Sequence, residues 1–382
     1  MPTVRTFIRA VVLCSVLVAS GVWAKSIVIG YTGPLSGGAA LYGKNTLAGL
    51  EMAAKEINAA GGVVIGSKQY TVHIKALDDQ YSPSMAALNA KRLTAQYKAP
   101  IVFVSHSAGA LALQAFNERD KFIIGAYTSV PAISERSNRL TFRIPPSFHV
   151  YLDSFVGMEM SRFGKKLAVA TGDHDYARVW VDAFVPAWKK AGGSVVSVNL
   201  LSYNKESDFY SGISRALAGK PDVMLVGGAS EPTALVIKQA RELGFKGGFA
   251  VLDQAKMDEM ARVIGGLGLL EGAVGAMPLS YDRSPEIEAF VSRYQKASGK
   301  IPGSEVAYHY TALNAVVDAM KLAGTATDAK AIFARLGTAL SNLPPARNPS
   351  RIAGLDEKGA VISTVRIVVI EKGKPIEVPI KR

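Results

Sequence analysis

Short apolar, β-branched runs alternate with stretches of helical spacing through the first two thirds of this chain, and that alternation points to parallel sheets covered by helices. Residues 26–31 form the first run. Leu47, Leu50, Ala54 and Ile57 then recur at helical spacing, and Gly61-Gly62 closes that helix. The run 70–77 leads into Asp78-Asp79. Ser82-Pro83 opens the next helix as N-cap and first-turn proline, with Ala86, Ala90, Leu93 and Tyr97 on one face. Strands are expected at 100–104 and 122–124, with a helix over 109–118 between them.

The pattern then restarts. A helix over 149–163 precedes a strand at 167–170, another helix begins near 177, and 194–200 is again extended. Asp208 starts a helix carrying Phe209, Ile213 and Leu217, before a buried strand at 223–226. Val236, Ala240 and Leu243 mark a helix closed by Gly244, and 249–252 is the following strand. Two α/β units in tandem are the simplest account. The last third is different: Ser284-Pro285 caps a helix, two more lie near 304–323 and 328–340, and 361–370 is too β-branched for a helix. A helix-rich stretch after two α/β units suggests that the chain returns to the first.

At 382 residues, 49% hydrophobic and 20% charged, the chain is globular, with material for two or three domains. Its charge of +13 is spread along the sequence, and no aromatic-basic repeat accompanies it, so nucleic acid is not an expected partner.

Residues 1–24 read as a secretory signal peptide. Arg5 and Arg9 form the charged start, 10–20 is apolar, and Val22-Trp23-Ala24 places small residues at the cleavage positions. The apolar stretch is well short of the ~20 residues a membrane span needs. The chain's one cysteine, Cys14, lies inside this leader and follows Leu13 rather than a small residue. The expectation is therefore a periplasmic protein without a lipid anchor and without a thiol, which excludes cysteine nucleophiles and cysteine-built zinc sites.

In open α/β sheets ligands sit beyond the carboxyl ends of the strands. The residues there are rich in hydroxyls and small side chains: Thr32 to Gly38 with Tyr42-Gly43, then Ser105 to Gly109, then Ala126 to Ser129. In the second unit the corresponding segments are 171–176, 227–231 and Asp253-Gln254. Ser107, at a helix start, offers a hydroxyl beside first-turn N–H groups, a ready seat for a carboxylate. Asp253 can meet a cation on the same ligand, and Tyr42, Tyr127 and Tyr176 can supply walls.

Three sharper motifs carry less. Ser105-His106-Ser107-Ala108-Gly109 lacks the first glycine of the strained hydrolase elbow, although His149, His174 and His309 follow it. Asp173-His174-Asp175 has metal-ligand types, but adjacent residues of one turn rarely converge on an ion. Gly265-Gly266-Leu267-Gly268 does not open a helix after a strand, as a dinucleotide site requires. No metal or cofactor is expected.

With these residues in view, the whole chain beyond the leader resembles a type I periplasmic solute-binding protein of the branched-chain amino acid group that serves ABC importers. The resemblance rests on I-G-Y-T-G-P-L-S-G at 29–37, Y-G-K-N-T-L-A-G at 42–49 and E-I-N-A-A-G-G at 56–62. L-D-D-Q-Y-S-P at 77–83, K-Q-A-R-E-L-G-F at 238–245 and E-G-A-V at 271–274 continue it in order. It implies two Rossmann-like α/β lobes with parallel sheets, joined by three crossovers near 143–147, 276–281 and 348–358. Lobe I would comprise 25–144 and 280–350, and lobe II 145–279 and 351–382. It also implies that Ser107 binds a ligand carboxylate, helped by Tyr127 and Ser129, that Tyr42 lines the first lobe's wall, and that Tyr176 closes from the second. Asp253 falls where the family places an acid for the α-amino group, with Gln254 beside it as the other residue able to face the ligand.

Two departures stand out. The disulfide that the family's amino-acid binders often carry would join the loops that here hold Tyr81 and His106, where no cysteine exists. Ala229 stands where the family carries an aromatic after Gly227-Gly228, which implies an enlarged or reshaped pocket, less suited to a small aliphatic amino acid and, if roomier, suited to an aromatic acid. The expected function is non-enzymatic: hinge closure on a small carboxylate-bearing ligand (an amino acid, an amide or an aromatic carboxylate), and delivery to an ABC transporter membrane permease by a monomer. A ligand sensor on the same fold is the alternative, and a serine hydrolase a third.

Overall fold

The structure, a computed structural model, describes residues 25–380. The leader expected at 1–24, with Cys14, lies outside the described residues. The first α/β unit runs β1 (Lys25–Gly33), α1 (Ala40–Ala59), β2 (Val63–Ile65), β3 (Lys68–Asp78), α2 (Pro83–Ala95) and β4 (Ile101–Val104). It continues through α3 (Ser107–Gln114), α4 (Asn117–Asp120), β5 (Ile123–Ala126), α5 (Ala132–Glu135) and β6 (Thr141–Arg143).

The second unit runs α6 (Leu152–Arg162), β7 (Lys166–Val169), α7 (Asp175–Lys190), β8 (Ser194–Val198), α8 (Tyr210–Leu217) and β9 (Val223–Val226). It closes with α9 (Ser230–Glu242), β10 (Gly248–Val251), α10 (Met257–Ile264) and β11 (Ala273–Ala276). The last third holds α11 (Pro285–Ser298), α12 (Ser304–Ala323), α13 (Ala329–Ser341), β12 (Ile352–Leu355), β13 (Val361–Ser363), β14 (Ile367–Glu371) and β15 (Lys374–Val378).

The strands form two large sheets. One has the order β2-β3-β1-β4-β5-β6, parallel except for the β2–β3 hairpin. The other has the order β15-β14-β11-β10-β9-β7-β8, parallel from β11 to β8 and antiparallel at the β14–β15 edge. Parallel strands covered on both faces read as unbroken apolar runs, and Ile101–Val104, Val223–Val226 and Gly248–Val251 are buried throughout. In each sheet the strand order reverses direction, at β1 between β3 and β4 and at β7 between β8 and β9. Such reversal points open a crevice at the carboxyl ends of the strands.

After β11 the chain returns to the first body, where α12 packs along α1 and α13. The final crossing falls later than expected. The β12–β13 hairpin packs on α13, and Ala360 bridges to Arg143 at the end of β6. Residues 352–363 thus sit with the first body, and the chain enters the second sheet only at β14. The single extended stretch expected over 361–370 is two strands in two different sheets, broken at Thr364-Val365-Arg366. The helix expected at 109–118 begins at Ser107 and stops at Gln114. Among the described residues no helix is long and apolar enough to cross a membrane.

Candidate functional site

The two carboxyl edges face each other, and the loops between them line one cleft. On the first body, Asp79 fixes the loop geometry. Its buried carboxylate accepts from Thr32 Oγ1 at 2.9 Å and from the Tyr81 backbone N–H at 2.9 Å, and it meets His106 Nε2 at 3.2 Å. The other ring nitrogen of His106 accepts from the Gly109 N–H at 3.0 Å. His106, not Ser107, is therefore the N-cap of α3, and Ser107 is its first helical residue, with its side chain buried at the cleft wall.

Tyr81 stacks on His106 with centroids 4.7 Å apart. The same tyrosine reaches the second body, 5.2 Å from the His174 ring. His174 caps α7 by accepting from the Ala177 N–H at 3.2 Å, and burial holds its pKa down at about 4, so the ring stays neutral. Asp173 accepts from Ser202 Oγ at 3.0 Å. Among the described residues no group of acids, histidines or cysteines is arranged to hold a metal.

All six residues singled out from the sequence line this cleft: Tyr42, Ser107, Tyr127, Ser129, Tyr176 and Asp253. Asp253 joins the bodies. Its Oδ1 accepts from Ser129 Oγ of the first body at 3.0 Å, and from Trp180 Nε1 at 3.1 Å and Tyr176 OH within its own body. Gln254 lines the same cavity but turns to Tyr81, donating from Nε2 to the phenol at 3.3 Å. Tyr42 and Tyr127 lie side by side at 5.8 Å, and Tyr127 meets Tyr308 of α12 at the same distance. Burial raises the Tyr42, Tyr127, Tyr151 and Tyr176 phenols, the last also through Asp253, and pushes Tyr308 up to about 12. These hydroxyls remain protonated donors across the neutral range.

Tyr81, His106, Tyr151, Lys256 and Tyr308 also line the cavity, and none was singled out from the sequence as a ligand residue. Lys256 is buried, with its Nζ donating to the backbone oxygens of Asp253 and Gln254 and standing 3.5 Å from Glu305. It follows Asp253 by three residues in the same strand-end loop, so its position was the one readable signal. Tyr308 had none, because α12 arrives from the last third of the chain.

Ala229, just before α9 in the second body, is buried against apolar residues of the first body and does not line the cavity, whose wall is rich in tyrosines. The cavity measures about 60 Å³ and is lined by hydroxyls and rings, with one carboxylate and one ammonium in its walls.

A family model described as "Periplasmic binding protein" matches residues 26–375. An amino acid binding protein of Pseudomonas aeruginosa is 28% identical over 333 residues, covering 86% of this chain and 87% of the relative. The crystal structure of a leucine binding protein from Thermotoga maritima superposes with a TM-score of 0.75 at 22% identity, covering 92% of this chain and 98% of that one. A solute binding protein of an ABC transporter from R. palustris, crystallised with benzoate, gives 0.78 at 17% identity, covering 92% and 95%. At such identities these structures establish the likeness of fold.

Proposed function

The chain belongs to the periplasmic binding protein family, whose members hold solutes without transforming them, and from that premise we propose that it captures a small carboxylate by closing its two bodies over it. The observation that carries this reading is the pairing of opposite walls. Ser107 and the opening turn of α3 offer hydroxyl and N–H donors from the first body, while Tyr176, Asp253 and Lys256 face them from the second. A helix start of this kind favours an anion. Contacts made by both bodies stabilise the closed arrangement only when a ligand completes them, which is how a binding event becomes a shape that a membrane permease can read. Delivery to an ABC permease and a periplasmic site of action are part of the same proposal, supported by the family.

The ligand's second feature divides two readings. An α-amino acid would place its ammonium against Asp253, as the amino acid binding protein of P. aeruginosa invites by analogy. The tyrosine-rich wall favours an aromatic carboxylate, the kind of molecule held by the R. palustris protein. Thermal-shift measurements with leucine, simple amides and benzoate separate these readings, because a ligand bound only by the native form raises the melting temperature with concentration. A shift with benzoate alone selects the aromatic acid. No shift with any carboxylate at millimolar concentration overturns the proposal.

A further inference from the structure

Beside the ligand cavity, outside its wall, two buried glutamates meet across the boundary between the bodies. Glu259 lies on α10 of the second body, and Glu305 opens α12, which packs on α1 of the first. Glu259 is 2% exposed and Glu305 fully buried. Their oxygens close on one spot beside Gly303, where a β-carbon would lie 2.2 Å from Glu259 Oε1 and 2.6 Å from Glu305 Oε2.

The donors around them are fewer than two carboxylates need. Glu259 accepts from Asn45 Nδ2 of α1 at 2.6 Å and from Ser230 Oγ of α9 at 2.5 Å. Neither oxygen of Glu305 accepts a hydrogen bond, and Lys256 stands 3.5 Å from Oε1. Asp258 adds a further acid on α10, itself paired with Arg262 at 3.5 Å and bonded to Ser280. Two buried carboxylates facing one ammonium cannot both stay ionised without a large cost. A proton on Glu259 removes the repulsion and supplies the donor that Glu305 lacks.

We propose that Glu259 and Glu305 share one proton when the bodies close, so that ligand capture by this chain takes up a proton from solution. Glu259 and Glu305 are positioning residues, acting on closure through the body interface and through Lys256, and the proposal rests on the reading of the chain as a closing solute binder. Burial, then Glu305, then Asp258 hold the Glu259 carboxyl well above the ordinary glutamate range. Opening the cleft would separate Glu259 from Asn45 and Glu305 and admit water, returning it toward that range. The closed form therefore binds more protons, and its advantage shrinks as pH rises.

The mature chain is titrated by calorimetry with leucine and with benzoate, in buffers of different ionisation heat, from pH 5 to 8, with scattering curves recorded alongside. The expected result is a buffer-dependent heat showing uptake of up to one proton, and an affinity weakening by as much as tenfold per pH unit where the pair titrates. Glu259→Gln, whose amide oxygen can still accept from Asn45 while its amide N–H turns to Ser230 Oγ, should bind with a flat pH profile and no uptake, whereas Glu305→Gln should take up less of a proton than the parent because burial still acts on Glu259. Binding and closure with heats independent of buffer overturn the shared proton while leaving solute capture standing. Absence of binding and closure with both acids at every pH overturns the reading of function and this inference with it.

Discussion

Single side chains in this cleft have roles that follow from their partners. Ser107 sits at the start of α3 while its neighbour His106 does the capping, so the Ser107 hydroxyl is available to an anion. A hydrogen bond to a charged group is worth about 1.5–3 kcal/mol. Ser107→Ala should therefore weaken a carboxylate ligand by about ten- to a hundredfold in calorimetry, with little change in the melting temperature of the free protein. Equal affinity would remove Ser107 from the site. Burial also holds His309 neutral, with its pKa lowered to about 4, against an ordinary value of 6.5. The unfolded chain takes a proton on this ring below about 6.5 and the folded chain refuses it until about 4, so its contribution to stability is lost as pH falls through that window. His309→Phe should lose less stability than the parent between pH 6.5 and 4.5, by on the order of 2–3 kcal/mol in denaturant titrations. Parallel profiles would show that the ring does not set this loss.

Helices and strands are held to their places by contacts that their own sequences do not announce. Gly49 lies within the segment 42–49 that carries the family resemblance, and helical spacing accounts for the apolar residues near it but not for the glycine. The structure supplies the reason: a β-carbon there would lie 2.3 Å from the Val306 carbonyl oxygen and 2.9 Å from His309 Cβ, where α1 crosses α12. Alanine favours a helix by about 1 kcal/mol over glycine, but overpacking typically costs about 1–3 kcal/mol. Gly49→Ala should therefore lower the melting temperature despite its better propensity, and an unchanged or higher value would show that the helices can separate freely. The stretch 361–370 makes the same point. Its β-branched composition marked it as extended, yet only packing decided that Val361–Ser363 pairs with β12 and Ile367–Glu371 with β11.

At the scale of the molecule, the bodies are joined by contacts that must break together when the cleft opens. The Gly38 N–H donates to Asn204 O at 3.4 Å, Ser129 bonds Asp253, Tyr81 bonds Gln254, and Asn45 bonds Glu259. Each is a modest hydrogen bond, and a bound solute adds the differential contact that shifts the balance. A saturating carboxylate ligand should reduce the radius of gyration in small-angle scattering relative to the free chain. Saturation without any narrowing would count against hinge closure.

The alternation of strands and helices was legible in the sequence because side-chain periodicity is a local property, expressed within a few turns or a few strand residues. The cleft residues after the strands were legible for a related reason: parallel connection places every strand's carboxyl end on one edge, so Ser107, Tyr127 and Asp253 could be located without knowing their neighbours. What the tertiary structure alone decided are meetings with no local signature. Asn45 finds Glu259 across 214 residues, Tyr81 finds Gln254 across 173, and Tyr308 enters the cavity from a helix of the last third. Ala229, just before α9 of the second body, meets its apolar neighbours across the boundary, among residues of the first body. Sequence spacing fixes which way a side chain points along its own element, whereas the partner waiting there depends on how the elements are brought together.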